Sequence, residues 1–368
     1  MKKYIIFGAG NIGEKFLYNI WQKVDIDCFW DNNKVDELLG YTIEKPRYEK
    51  GVFIIVAVEK YFEVRAQLIG MGYVEFDDFV PYQIFHKKMA IAYGNCHMDA
   101  VKKYLVCSKS FSAEYGFYPF PRVQDMDEKF KYENILKHAD LFFHQAIRRD
   151  NRYGEKYASE YMLKYVPQNC KILAIPNLYG LPKVFFPQLD MIYRTVKGRN
   201  SFFFLDSNIV NWLNEGKTVE EIVSAIAEGK TYTNQDIQGM WQEFQRKLLG
   251  REQEWDIKIS DYILANYKTI KLFYDTNHIS SACAKEIAGR ILTYLGYNPR
   301  IASVLKVVDS VECFVYPDVK DALGLEFEEH IIREYSNDAF CSGGEMDLKN
   351  YVEQICSYTL LNLKCEGK

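Results

Sequence analysis

Short apolar runs alternating with amphipathic stretches constrain the fold of this 368-residue chain more than any other feature. Val52-Phe-Ile-Ile-Val-Ala-Val58 has no polar alternation at all, the pattern of a parallel strand covered on both faces. Tyr4-Ile-Ile-Phe7 and Ile26-Asp-Cys-Phe-Trp30 read as two further strands. Helical periodicity over Asn11–Lys23 and Phe62–Met71 separates the three. Strands alternating with helices specify right-handed crossovers and a doubly wound sheet. The expected fold class is therefore α/β, with a small doubly wound domain over 1–85 and a larger α/β domain over 89–368. A linker over Pro81–Lys88 joins them. Candidate strands of the second domain are Ala90–Tyr93, Asp140–His144, Lys171–Ile175, Phe202–Leu205 and Ile270–Tyr274. A helical insertion fills roughly 207–266, and Thr218-Val-Glu-Glu221 opens one of its helices as a capping box. Ser280–Leu295 reads as a helix ended by Gly296. Ser342-Gly-Gly344 reads as a loop and Met346–Leu361 as a closing helix.

Composition narrows the function classes. Hydrophobic residues make up 48%, enough for sizeable cores and too many for disorder. The net charge of −4 comes without a basic stripe, which argues against nucleic acid as a partner. The 28 Tyr and 24 Phe suit sugar or nucleotide stacking, and equally suit ordinary core filling. Nine cysteines are scattered without CxxC pairs, and no signal-peptide h-region or membrane span is legible. A reduced, cytoplasmic protein is expected. The six histidines lack metal-ligand spacing, so no metal is expected either.

Two segments carry chemistry. In Met89-Ala-Ile-Ala-Tyr-Gly-Asn-Cys-His-Met98 an apolar strand turns at Gly94 into a helix over Asp99–Val106, which puts the Cys96 thiol at a helix N-terminus. Backbone N–H groups and the helix dipole favour a thiolate there. The other eight cysteines read as small buried hydrophobes, and for Cys96 the alternative is a buried residue packing the turn. Downstream, Ile270–Tyr274 runs into Asp275-Thr-Asn-His278 and then a helix, repeating the layout. His278 is the candidate base and Asp275 the carboxylate that fixes its tautomer. An ordinary capping or loop acid is the alternative for Asp275. Asn277 suits an N-cap, in competition with Ser280. His97 points about 100° away from Cys96 around the helix, which fits a substrate contact better than a base. The Cys96 N–H and the Asn95 side chain are candidate oxyanion donors. Gln145, at the end of its strand, is placed to orient a substrate.

Gly8-Ala-Gly10-Asn-Ile-Gly13 matches the GxGxxG fingerprint directly after a strand, and Asp31 ends the next strand near where a ribose hydroxyl would sit. A dinucleotide, another phosphate-bearing ligand, or glycines that serve the tight turn alone all remain open. Ile6-Phe-Gly-Ala-Gly10, Phe29-Trp-Asp-Asn-Asn33, Gly40-Tyr-Thr-Ile43 with Pro46, and Ile54-Ile-Val-Ala57 resemble the N-terminal Rossmann-like domains of bacterial sugar acetyltransferases and polysaccharide-modifying enzymes. That resemblance implies a nucleotide or nucleotide-sugar at Gly8, Gly10, Gly13 and Asp31, or no ligand, rather than redox chemistry.

Gly94-Asn-Cys96 with Asp275-x-x-His278 resembles SGNH-type hydrolases and acyltransferases, with Cys for Ser. The chain more closely resembles the WcbI-type capsular-polysaccharide acetyltransferase family. The resemblance rests on Gly94-Asn-Cys96, Ala139-Asp-Leu-Phe-Phe-His-Gln145, Ile175-Pro-Asn177 followed by Phe186-Pro187, and Asn277-His278 before a helix. These blocks fall in order over about 90–300. The family commonly has Gln after the Cys where this chain has His97, which puts the substrate contact there in doubt. The resemblance implies an acyltransferase that moves acetyl from acetyl-CoA to a sugar hydroxyl of a surface glycan. Cys96, His278, Asp275 and Asn95 would be catalytic. Gln145, His97, Asn277 and Asn177 would face the acceptor. CoA needs cationic partners for its phosphates, and Arg148, Arg149 and Arg152 follow Gln145 closely enough to be candidates, the alternative being a solvated helix start. The rivals are an esterase or deacetylase on the same site, a nucleotide-sugar-binding protein and, last, a nicotinamide-dependent dehydrogenase.

Overall fold

The computed structural model describes residues 3–20, 23–127, 130–151, 153–196, 199–301, 312–328, 331–336 and 339–363. The fold is mixed α/β, as the alternation requires. Strands β1 Lys3–Phe7, β2 Ile26–Trp30, β3 Asp36–Leu38, β4 Tyr41–Glu44, β5 Val52–Val56 and β6 Phe79–Pro81 form a six-stranded sheet of order β3-β4-β2-β1-β5-β6. β1 runs parallel to both β2 and β5, and Ile5, Ile6, Ile54 and Ile55 at the sheet centre are fully buried. Helices α1 Asn11–Ile20 and α2 Tyr61–Gly70 supply the crossovers. α1 buries Phe16, Leu17 and Ile20 on one stripe. The segment expected to be a linker contributes β6 and a 3-10 turn over Tyr82–Ile84.

A second sheet has the order β10-β9-β7-β8, from β7 Lys88–Tyr93, β8 Tyr115–Phe117, β9 Leu141–Gln145 and β10 Lys171–Ile175. β7 sends its chain to β8 on one side, and the later strands lie on the other. The carboxyl ends of β7 and β9 therefore form the switch point, where α/β sheets build their sites. Helices α3 Cys96–Val106, α4 Lys109–Glu114, α5 Tyr132–Leu136 and α6 Ser159–Leu163 lie along this part of the chain.

Two expected strands of this sheet are not in it. Phe202–Leu205 belongs to an antiparallel hairpin of β11 Leu189–Val196 and β12 Arg199–Asp206. Among the described residues Ile270–Tyr274 has no strand partner beyond a single antiparallel bridge, Phe273 to Ile279, and Leu272, Phe273 and Tyr274 are core residues of a tight loop. The helical insertion is present as α7 Ser207–Asn214, α8 Val219–Ala227, α9 Asn234–Glu252 and α10 Ser260–Asn266, with the Thr218–Glu221 capping box in place. α11 Ser281–Leu295 buries Cys283, Ala284, Ile287, Ala288, Ile291 and Leu292, and Gly296 ends it with φ 85°. This stripe packs on α3. After α12 Pro317–Leu323, Ser342-Gly-Gly344 lies inside a hairpin of β13 Ile331–Ser336 and β14 Ala339–Met346, not in a loop. α13 Leu348–Leu363 closes the described chain.

The compact units divide the chain differently from a cut near residue 88. One comprises 1–93, 109–143 and 148–172, and the other 94–108, 144–147 and 173–368. Among the described residues no helix is long and apolar enough to cross a membrane.

Candidate functional site

Cys96 is the first residue of α3, three positions after the end of β7. Asn95 caps the helix, its side chain accepting from His97 N at 2.9 Å. The Asn95 N–H donates to Gln145 Oε1 at 2.8 Å, and Gln145 Nε2 donates to Pro176 O at 2.9 Å. Gln145 is fully buried, so its amide splints the strand ends instead of facing a substrate as expected. Gly94 follows from this. A Cβ there would overlap the Gln145 amide oxygen and lie 2.9 Å from its Cδ. Gly94→Ala should cost about 2–3 kcal/mol through overpacking and lost buried hydrogen bonds. Urea denaturation measures it, and a cost under 0.5 kcal/mol, the size of an ordinary surface substitution, would contradict the splint.

The candidate base arrives on the 275–278 loop. Asp275 is buried, and its Oδ1 accepts from Asn277 N at 2.6 Å and His278 N at 2.9 Å. Its Oδ2 accepts from His278 Nδ1 at 2.7 Å. One carboxylate thus closes the turn and fixes the imidazole tautomer, so both roles considered for Asp275 hold together. Nε2 is left as the nitrogen that meets Cys96, whose side chain is hydrogen-bonded to the His278 ring. Burial opposes charge on this ring. The Asp275 carboxylate, by charge and hydrogen bond, and the adjoining sulfur outweigh it and hold His278 well above its usual value of 6.5. A raised folded pKa contributes stability that is whole below the unfolded value and fades as pH rises through the folded one. The Tm gap between wild type and His278→Gln should accordingly be widest near pH 6 and close on the alkaline side. A gap that widens with pH would contradict the pairing.

The rest of the expected set divides. Asn95 and Asn177 meet, Nδ2 to Oδ1 at 3.4 Å. Asn277 does not cap α11; Ser280 does, accepting from Cys283 N at 3.3 Å. The Asn277 side chain instead donates to Met191 Sδ at 3.2 Å, and Tyr179 Oη donates to the same sulfur at 3.4 Å. His97 is buried with its Nε2 on the Asn277 carbonyl, which removes it from the acceptor-facing role. Tyr179 and Arg251 were not foreseen. Arg251 Nη1 donates to the carbonyls of Asn177 (3.1 Å) and Tyr179 (2.9 Å), and Gly180 N donates to Thr276 O at 3.1 Å. No spacing motif marks an arginine on α9 as the clasp of a loop over 70 residues away, and its role is visible only in three dimensions.

Burial pushes the thiols of Cys28 and Cys170 up to about 11 and that of Cys283 up to about 12, which suits inert core residues. Cys96 is half-buried.

In the other unit the glycine loop looks inward. Asp31 Oδ2 accepts from Ala9 N at 2.9 Å, Oδ1 accepts from Asn33 and Lys34 N, and Lys34 Nζ donates to Ala9 O at 2.7 Å. The carboxylate expected on a ribose clasps its own loop. Gly8, at φ 117°, has Ala57 O 2.5 Å from a hypothetical Cβ, and a Cβ on Gly13 would overlap the Gly8 carbonyl. Both glycines therefore serve close backbone packing, while Gly10 faces open space. Arg148 and Arg149 are exposed in this same unit, and Arg149 pairs with Glu160 at 2.7 Å. Arg152 lies outside the described residues.

Residues 89–300 match the family of the polysaccharide biosynthesis enzyme WcbI, more than half of the chain. The chain belongs to the WcbI family. A solved structure of WcbI has a TM-score of 0.62 to this WcbI-family chain, at 21% identity over 75% of this chain and 90% of that one. It is described as a novel polysaccharide biosynthesis enzyme, in its native form without a disulfide bond between CoA and one of its cysteines. At that identity the likeness bears on fold. No curated protein matches the chain.

Proposed function

We propose that this WcbI-family chain transfers an acyl group, acetyl first among candidates, from a CoA thioester to a sugar hydroxyl during surface-polysaccharide biosynthesis. The observation that carries the reading is the Cys96–His278–Asp275 relay at the end of β7. The proton shared by the pair rests on the His278 ring as the Cys96 sulfur attacks the thioester carbonyl. Collapse expels CoA, which leaves with the proton from His278, and an acyl–Cys96 remains. The sugar hydroxyl then attacks that carbonyl while His278 takes its proton. The ester forms, and the Cys96 sulfur leaves and recovers the proton.

The developing oxyanion would be met by the Cys96 N–H, which at the first helical position has no intrahelical acceptor, and by Asn95 Nδ2. CoA as donor draws support from the solved WcbI, whose description names CoA and a cysteine, in a form without a disulfide bond between them. Incubating the full chain with acetyl-CoA and a panel of oligosaccharides tests the reading. Free CoA and an acetylated acceptor are expected, read by thiol titration and mass spectrometry. Acetate released from an acetylated oligosaccharide, with no effect of CoA, would replace transfer by hydrolysis.

A further inference from the structure

The peptide joining Asn277 to His278 is held at both ends. Its N–H donates to Asp275 Oδ1 at 2.9 Å. Its carbonyl accepts from His97 Nε2, and Cys96 Sγ lies 4.0 Å from the same oxygen. His97 is buried, and its Nδ1 meets no partner among the described residues. A carbonyl oxygen only accepts, so the proton must sit on Nε2 and Nδ1 is left a bare acceptor. Burying an acceptor without a partner is unfavourable, and an apolar side chain of similar volume would fill the site without that loss. What the imidazole adds over such a side chain is one N–H aimed at Asn277.

We propose that His97 is a positioning residue: by gripping the Asn277 carbonyl it sets the peptide that carries His278 and so aims the His278 ring at the Cys96 sulfur. Nucleophile and tether then sit side by side at the start of α3, and both lie against the same carbonyl, 181 and 180 residues downstream. Desolvation drives the His97 pKa down to about 4, so the ring stays neutral through the range in which His278 works. The tether is therefore a fixed strut that does not titrate alongside the base.

The kinetic readout rests on the acyl-transfer reading, whereas two other readouts do not. In a long-range proton–nitrogen spectrum of histidine-labelled wild type, the signal lost in His97→Gln should be a neutral ring protonated on Nε2 from about pH 5.5 to 8. A ring protonated on Nδ1, or one that titrates in that range, overturns the proposal. His97→Leu should lower kcat about 10²-fold by misplacing the base, with KM for acetyl-CoA changed less than about twofold. His97→Gln, whose amide also offers an N–H to the carbonyl, should recover most of that loss. Alkylation of Cys96 by iodoacetamide should slow in the leucine variant and recover in the glutamine variant. This arm stands even if wild type transfers no acyl group, so failure of the functional reading and failure of the strut are told apart. Full kcat in the leucine variant, or a folded glutamine variant as impaired as the leucine one, sinks the idea. Should the leucine variant not fold, the glutamine variant and the spectrum decide.

Discussion

Cys96→Ala and His278→Ala should each lower kcat for acyl transfer by at least about 10³-fold, and the double variant should be hardly worse than either. The non-additivity follows from the geometry. The sulfur and the imidazole share one proton path, and neither performs its step without the other. His278 keeps 27% of its side chain exposed, and its alanine variant should fold normally. The loss in turnover is therefore expected in a folded protein, beyond the modest pH-dependent stability that the ring contributes. Asp275→Asn should also be severe, because its Oδ2 accepts from the His278 Nδ1–H and an amide nitrogen in that place reverses the preferred tautomer. Steady-state rates with acetyl-CoA and the acceptor found in the panel check this. Activity within tenfold of wild type in Cys96→Ala would move the chemistry to direct attack by a sugar hydroxyl with His278 as base. Full activity in both single variants would end the relay altogether.

The second large effect concerns stability. Asp206 is fully buried at the junction of β12 and α7. Its carboxylate caps α7, accepting from Asn208 N at 3.1 Å and Ile209 N at 3.2 Å. It also accepts from Tyr316 Oη at 2.9 Å and Tyr351 Oη at 3.1 Å, both on fully buried tyrosines. Burial, and then the Asp206 charge, push the Tyr316 hydroxyl well above its usual value, so it remains a donor. Asp206→Ala removes a cap worth about 1 kcal/mol and the acceptor that two buried hydroxyls use, at about 1–3 kcal/mol each. The expected loss is about 3–5 kcal/mol, on the order of 10 °C in Tm. Thermal and urea denaturation measure it, with Asp206→Asn as a milder control because its amide oxygen still accepts. A loss under about 1 kcal/mol would show that the tyrosines find other partners without strain.

Legibility in the sequence tracked the range of the interactions involved. The β1–α1–β2 unit and the Gly94-Asn95-Cys96 turn depend on periodicity and on neighbours within a few residues, and both were readable. So was the pairing of Asp275 with His278, whose spacing of three closes a turn. The apolar run Ile270–Tyr274 misled because burial in a loop and burial in a strand select the same side chains. Gln145 and His97 were read as facing a ligand because both are polar and border the nucleophile. Both turn inward to bond backbone groups at Asn95, Pro176 and Asn277, which lie 31 to 180 residues away. Asp31 shows the same at short range: the motif identified the loop but not which atoms the carboxylate would satisfy.

One feature of the site bears on how it comes into being. Cys96 is separated by 181 residues from Asn277, the residue that precedes its base. At about 5–20 residues per second, a ribosome needs roughly 10–40 s to bridge that interval. Throughout it the growing polypeptide carries a sulfur with no proton acceptor beside it. On the proposed mechanism the centre is therefore complete only once translation has delivered the histidine.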